Sequence, residues 1–111
     1  MARAPIKVYA AFSPAPDEVL AAVEKAGRAA IGHDSDWLFH EGNFLRIAWE
    51  GLYFPLEDVL HALAATLPEN AEGKLDYLDL DDWTITRHVP QKRKFQTSTR
   101  SLNQVLEYSG H

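Results

Sequence analysis

Cysteine is missing from all 111 residues, and that single absence removes three functional classes together. There is no disulfide scaffold, no thiolate metal site and no cysteine nucleophile. A small chain that manages without disulfides fits a reducing compartment. Long hydrophobic runs are also missing, and no stretch approaches the ~20 apolar residues that span a bilayer. Arg3 followed by Val8–Phe12 has a trace of a secretory leader, but Lys7 interrupts a run already too short. The chain is therefore expected in the cytoplasm, without a membrane partner. Catalytic signatures are wanting too: there is no G-x-S-x-G, no phosphate-cradling glycine loop and no H-E-x-x-H.

What is present describes one ordinary domain. With 46% apolar, 11% aromatic and 24% charged residues the chain is globular, and its length suits a single domain spanning residues 1–111. A domain of this size buries about two-thirds of its unfolded surface, enough for a core without staples.

Ile6, Val8, Ala10 and Phe12 alternate with Lys7, Tyr9 and Ala11, the period of a half-buried strand. Pro14 and Pro16 stop it, and Asp17 and Glu18 open a helix where negative charge suits the macrodipole. Val19, Leu20, Val23, Gly27 and Ala30 continue that helix through Ile31. Trp37–His40 and Phe44–Tyr53 read as a strand pair around Glu41-Gly42-Asn43. Pro55 opens a second helix with Leu56, Val59, Leu60, Leu63 and Leu67 as its stripe, closed by Pro68.

Leu75–Leu80 and Trp83–Val89 form a further hairpin through Asp81-Asp82, with Tyr77-Leu78 expected to mark a bulge. On its second strand Trp83, Ile85, Arg87 and Val89 oppose Asp82, Thr84, Thr86 and His88, and Trp83 is a candidate core residue. Phe95–Thr99 is an optional edge strand, and Ser101-Leu102-Asn103-Gln104 caps a last short helix carrying Val105 and Leu106. The expected fold is α+β, in the order β-α-β-β-α-β-β-(β)-α. About five strands form an antiparallel or mixed sheet, with two to three helices packed on it.

Charge is segregated near the C-terminus. Glu69, Glu72, Asp76, Asp79, Asp81 and Asp82 stand against Lys74 alone, and Arg87, Lys92, Arg93, Lys94 and Arg100 follow without an acid. The acidic block interleaves with Tyr77 and Trp83. Carboxylates steer encounter with a basic partner, and a neighbouring aromatic supplies desolvated anchor area. The expected contacts are Asp76, Tyr77, Asp79, Asp81, Asp82 and Trp83, with Glu41 and Glu50 as rim charges. Asp79→Lys with Asp82→Lys is expected to weaken binding while sparing the fold. The bland counterpart is a hairpin with solvated acids. Should Lys92–Lys94 fold back beside the acids, they would blunt the surface.

The rival reading is a small ligand- or nucleic-acid-binding module, or a small enzyme, using His40, His88 and the His/Lys/Arg-rich segment 87–95, with Phe95 stacking on a base. A net charge of −5 opposes wholesale nucleic-acid binding. His33, Asp34, Asp36, His40 and Glu41 offer metal-capable side chains near one hairpin without matching a metal motif, and His61 lies four residues after Glu57 as an ordinary helical pair. Neither a metal nor another cofactor is expected.

The acid–aromatic run LDYLDLDDWTITRHV (75–89) and the terminal SLNQVLEYSGH (101–111) resemble the immunity proteins of bacterial polymorphic toxin systems, including the contact-dependent growth inhibition type. The likeness covers mainly residues 74–111. It implies a cytoplasmic, non-enzymatic protein that neutralises a cognate toxin domain, often a basic nuclease, by covering its active site or an adjacent surface.

Overall fold

The computed structural model describes residues 5–31 and 36–103. Strand β1 (Ile6–Ser13) buries Ile6, Val8, Ala10 and Phe12 and turns Lys7, Tyr9 and Ala11 the other way, as its period requires. A cis Ser13–Pro14 bond leads into helix α1 (Asp17–Ile31), whose buried stripe is Val19, Val23 and Gly27. Ala30 lies outside that stripe and is exposed.

Strand β2 (Leu38–Glu41) and strand β3 (Phe44–Gly51) are joined by Gly42-Asn43, with Gly42 at φ +61°, the left-handed first position that favours glycine in two-residue hairpins. Trp37, expected to begin β2, instead precedes it and fills the core at 4% exposure, edge-on to Phe54 at 5.9 Å. Expected to run to Tyr53, β3 ends at Gly51; Leu52 and Tyr53 are exposed. Helix α2 (Leu56–Thr66) buries Val59 and Leu63 and stops at Leu67, ahead of Pro68.

Strand β4 (Glu72–Asp79), strand β5 (Thr84–Gln91) and strand β6 (Lys94–Ser101) complete one antiparallel sheet of six strands, ordered β2-β3-β1-β4-β5-β6. The optional edge strand is thus a full sixth strand. The expected terminal helix falls largely outside the described residues. In the β1-α1-β2 unit, β3 lies between the two strands; in β3-α2-β4, β1 does. Two interlocked split βαβ units result, with the β5–β6 hairpin extending one side.

Both helices cover one face, where Phe12, Leu45, Ile47, Leu63 and Leu75 are fully buried. Burying each such side chain stabilises by about 1.5–3 kcal/mol. Among the described residues, no element covers the opposite face. That explains Tyr77-Leu78, which is no bulge. The β4 register runs unbroken against both neighbours, Tyr77 facing the helices and Leu78 the open side between Lys7 and Ile85.

Candidate partner-binding site

The β4–β5 connection is longer than Asp81-Asp82, because pairing ends at Asp79↔Thr84 and leaves Leu80 to Trp83 as the turn. Oδ1 of Asp79 accepts the backbone N–H groups of Asp81 and Asp82, both at 3.0 Å, an Asx-type brace within the turn. Leu80 N–H donates to the Pro5 carbonyl at 2.7 Å, and Leu102 N–H to the Trp83 carbonyl at 2.9 Å. The turn is therefore tied to the start of β1 and the end of β6.

Trp83 is neither a strand residue nor core. It sits at φ +58° and is 42% exposed, its indole N–H donating to Asn103 Oδ1 at 2.9 Å. Left-handed backbone costs an ordinary residue about 1–2 kcal/mol. The bonds through Leu102 and Asn103 help hold it. Asp81 and Asp82 are exposed beside the ring.

The other expected contacts do not join this cluster. Asp76 lies on the open face, 9% exposed, and accepts two hydrogen bonds from Arg87, at 2.8 Å from Nε and 3.0 Å from Nη2. Lys74 Nζ stands 3.9 Å from the same carboxylate. The bond to Asp76 raises the Arg87 pKa, and the two side chains form an ion pair of opposite charges. Glu50 is on the open face, 3.1 Å from Lys7, whose pKa it raises first by that hydrogen bond and then by its charge. Glu41 ends the edge strand β2, three strands away from β4. Tyr77 faces the helices, and burial, then Asp79 and Tyr53, push its pKa up.

The expected double charge reversal also needs correction. Lysine at 79 removes the acceptor of two turn hydrogen bonds, so Asp79 cannot be reversed without cost to the turn.

The basic segment 87–95 is dispersed rather than gathered. Arg87 is on the open face, whereas His88 is 5% exposed on the helix side, with Nδ1 2.9 Å from Thr97 Oγ1 and Nε2 without a hydrogen-bond partner. Desolvation lowers the His88 pKa, with Asp76 opposing. Lys92 and Arg93, at φ 50° and 66°, form the turn at the other end of β5, and Arg93 Nη1 donates to the Ala65 carbonyl at 3.4 Å, in the last turn of α2. Eight residues of strand, about 25 Å, separate the basic turn from the acidic one, so it does not blunt it.

His40 is structural in its bonding. Its Nε2 lies 2.6 Å from the Ala15 carbonyl, and the Ala15 N–H donates to Asn43 at 2.7 Å, clamping the β1–α1 corner onto the β2–β3 hairpin. Among the described residues no three His, Asp or Glu side chains converge as a metal site; His33 and Asp34 lie outside them.

Sequence reading overlooked Asn103, which orients Trp83 from twenty residues away, and the open-face group Tyr9, Phe39, Phe44 and Arg46. The signal for the latter was Tyr9 on the polar side of a clean alternation. Comparison with protein-family models, with curated proteins and with solved structures finds no match for this chain. Among the described residues no helix is long and apolar enough to cross a membrane.

Proposed function

We propose that this protein is a cytoplasmic, non-enzymatic immunity protein that binds and neutralises a basic toxin domain through the β4–β5 turn. The observation that carries the reading is Trp83: a large aromatic ring held half-exposed, in a backbone conformation that costs free energy, beside two exposed carboxylates. Backbone strain at an exposed aromatic is a reason to look for function there. The carboxylates of Asp81 and Asp82 steer a cationic partner, while Trp83 supplies the buried anchor once the partner arrives. Asp79 acts from beneath by setting the turn. Nuclease toxins hold phosphates and are basic for that reason, which makes them the fitting partner class.

The first test is the adjacent upstream gene, which this reading expects to encode a long secreted protein ending in a toxin domain; a binding titration against that domain follows, paired with a co-expression protection assay. Trp83→Ala is expected to weaken binding at least about 30-fold, as for a hot-spot aromatic. Asp82→Lys is expected to slow association and flatten its salt dependence. Asp79→Asn keeps the acceptor oxygen and retains most of the affinity. Unchanged protection by Trp83→Ala and Asp82→Lys together refutes the site; absence of any interaction with that domain refutes the function.

A further inference from the structure

The open face of the sheet carries a depression of about 500 Å³ across β3, β1 and β4. Ala11 and Ala48 lie at its floor, and Tyr9, Arg46, Lys74 and Asp76 rise around it. The registers Ala11↔Arg46 and Ala11↔Lys74 place one cation on each side of a methyl group. Asp76 accepts hydrogen bonds from Arg87 and stands 3.9 Å from Lys74, so three cations, Arg46, Lys74 and Arg87, face one carboxylate and the depression is net positive. No carboxylate among the described residues pairs with Arg46; its guanidinium stacks over the Phe39 ring instead, 5.1 Å from the centroid. Tyr9, Phe39 and Phe44 on this same face are 41%, 38% and 46% exposed.

The geometry points to this face as a binding site for single-stranded nucleic acid, distinct from the acidic turn and independent of the toxin-binding reading. Flat, exposed rings interleaved with cations on an open antiparallel sheet form a stacking platform: bases lie on the rings and phosphates meet the cations. The depression is too open to enclose a free small molecule, whereas a strand gains contacts by continuing from Tyr9 across to Phe39 and Phe44. An acidic peptide satisfies Arg46 and Lys74 but leaves the three rings without stacking partners. The net charge of −5 does not forbid the site. On this face Asp76 is held by Arg87 and Lys74 and Glu50 by Lys7, Glu41 stands at the rim opposite Phe44, and the acids of both helix first turns and of the β4–β5 turn lie elsewhere.

Fluorescence anisotropy of the full chain with fluorescein-labelled uridine and thymidine 12-mers tests this. Saturable binding is expected at 50 mM salt, weakening about sevenfold by 200 mM, the slope for two phosphate contacts on a single strand. Arg46→Ala with Lys74→Ala abolishes most of that slope. Tyr9→Ala lowers affinity about tenfold, Tyr9→Phe preserves it, and both Lys92→Ala with Lys94→Ala and Trp83→Ala leave it unchanged. Circular dichroism and the thermal midpoint establish that each variant folds. The proposal is overturned by absence of binding at 50 mM salt, by binding insensitive to Tyr9→Ala and the Arg46/Lys74 pair, by loss of binding in the Lys92/Lys94 variant, or by equal affinity for a glutamate 12-mer.

Discussion

Gly73 offers the sharpest test of the register that builds both candidate surfaces. It pairs with Phe12 in the β1–β4 ladder at φ +141°, and a Cβ placed there would lie 1.9 Å from the Ala11 carbonyl oxygen and 2.9 Å from the Phe12 Cα. A tolerable carbon–oxygen approach is about 3.3 Å, and both obstructing atoms are backbone of the central strand, which is hydrogen-bonded on each side. Gly73→Ala therefore incurs backbone strain of about 1–2 kcal/mol and an overpacking cost of about 1–3 kcal/mol. The sum, about 2–5 kcal/mol, is a large share of the ~5–15 kcal/mol that holds a domain together. At about 4–8 °C per kcal/mol for a domain near this size, the midpoint falls by about 8–40 °C. Gly42→Ala is the control: φ is +61° but no atom lies within 4 Å, so only the backbone cost of about 1–2 kcal/mol applies. Thermal and urea unfolding followed by far-UV circular dichroism measures both. The reasoning fails if Gly73→Ala is no more destabilising than Gly42→Ala.

His88 predicts an acid-sensitive fold. Its folded pKa is lowered, so the unfolded chain binds the proton more readily; the stability contributed by neutral His88 is complete above the unfolded value near 6.5 and is lost as pH falls toward the folded one. His88→Phe should remove that part of the pH dependence in urea titrations between pH 7 and 5. Arg87→Ala leaves the 9%-exposed Asp76 carboxylate with Lys74 alone, 3.9 Å away, and a double-mutant cycle with Asp76→Ala should return a coupling of about 1 kcal/mol, reduced by the exposure of Arg87. Gly27→Ala gains about 1 kcal/mol of helix propensity but sets a Cβ 2.6 Å from the buried Trp37 ring, an overpacking cost of about 1–3 kcal/mol; a net loss of stability is expected in calorimetry.

Local pattern determined much of this protein. The alternation from Ile6 to Phe12, the proline-bounded helices with their acidic first turns, and the Gly42-Asn43 hairpin are all properties of neighbouring residues, so they were legible before any packing was known. The Trp83 misassignment has the same root. An aromatic after Asp81-Asp82 fits a strand start by propensity, and only the Asp79 brace with the bonds to Leu102 and Asn103 puts it in the turn with positive φ.

The candidate sites were legible only in part, because a sheet divides each strand's residues between two faces and sequence does not say which face is covered. Asp76 and Tyr77 are adjacent in the chain, yet one is neutralised by Arg87 on the open side while the other packs toward the helices. Alternation groups Ile85 and Val89 with Trp83 as a candidate core face, but the helices lie over His88 instead. The separation of acidic and basic turns is likewise a consequence of β5 spanning the sheet between them. Sequence alone determined the elements and the segregation of charge. The order β2-β3-β1-β4-β5-β6 decided which charges meet, because side chains on separate strands interact only once pairing fixes their register.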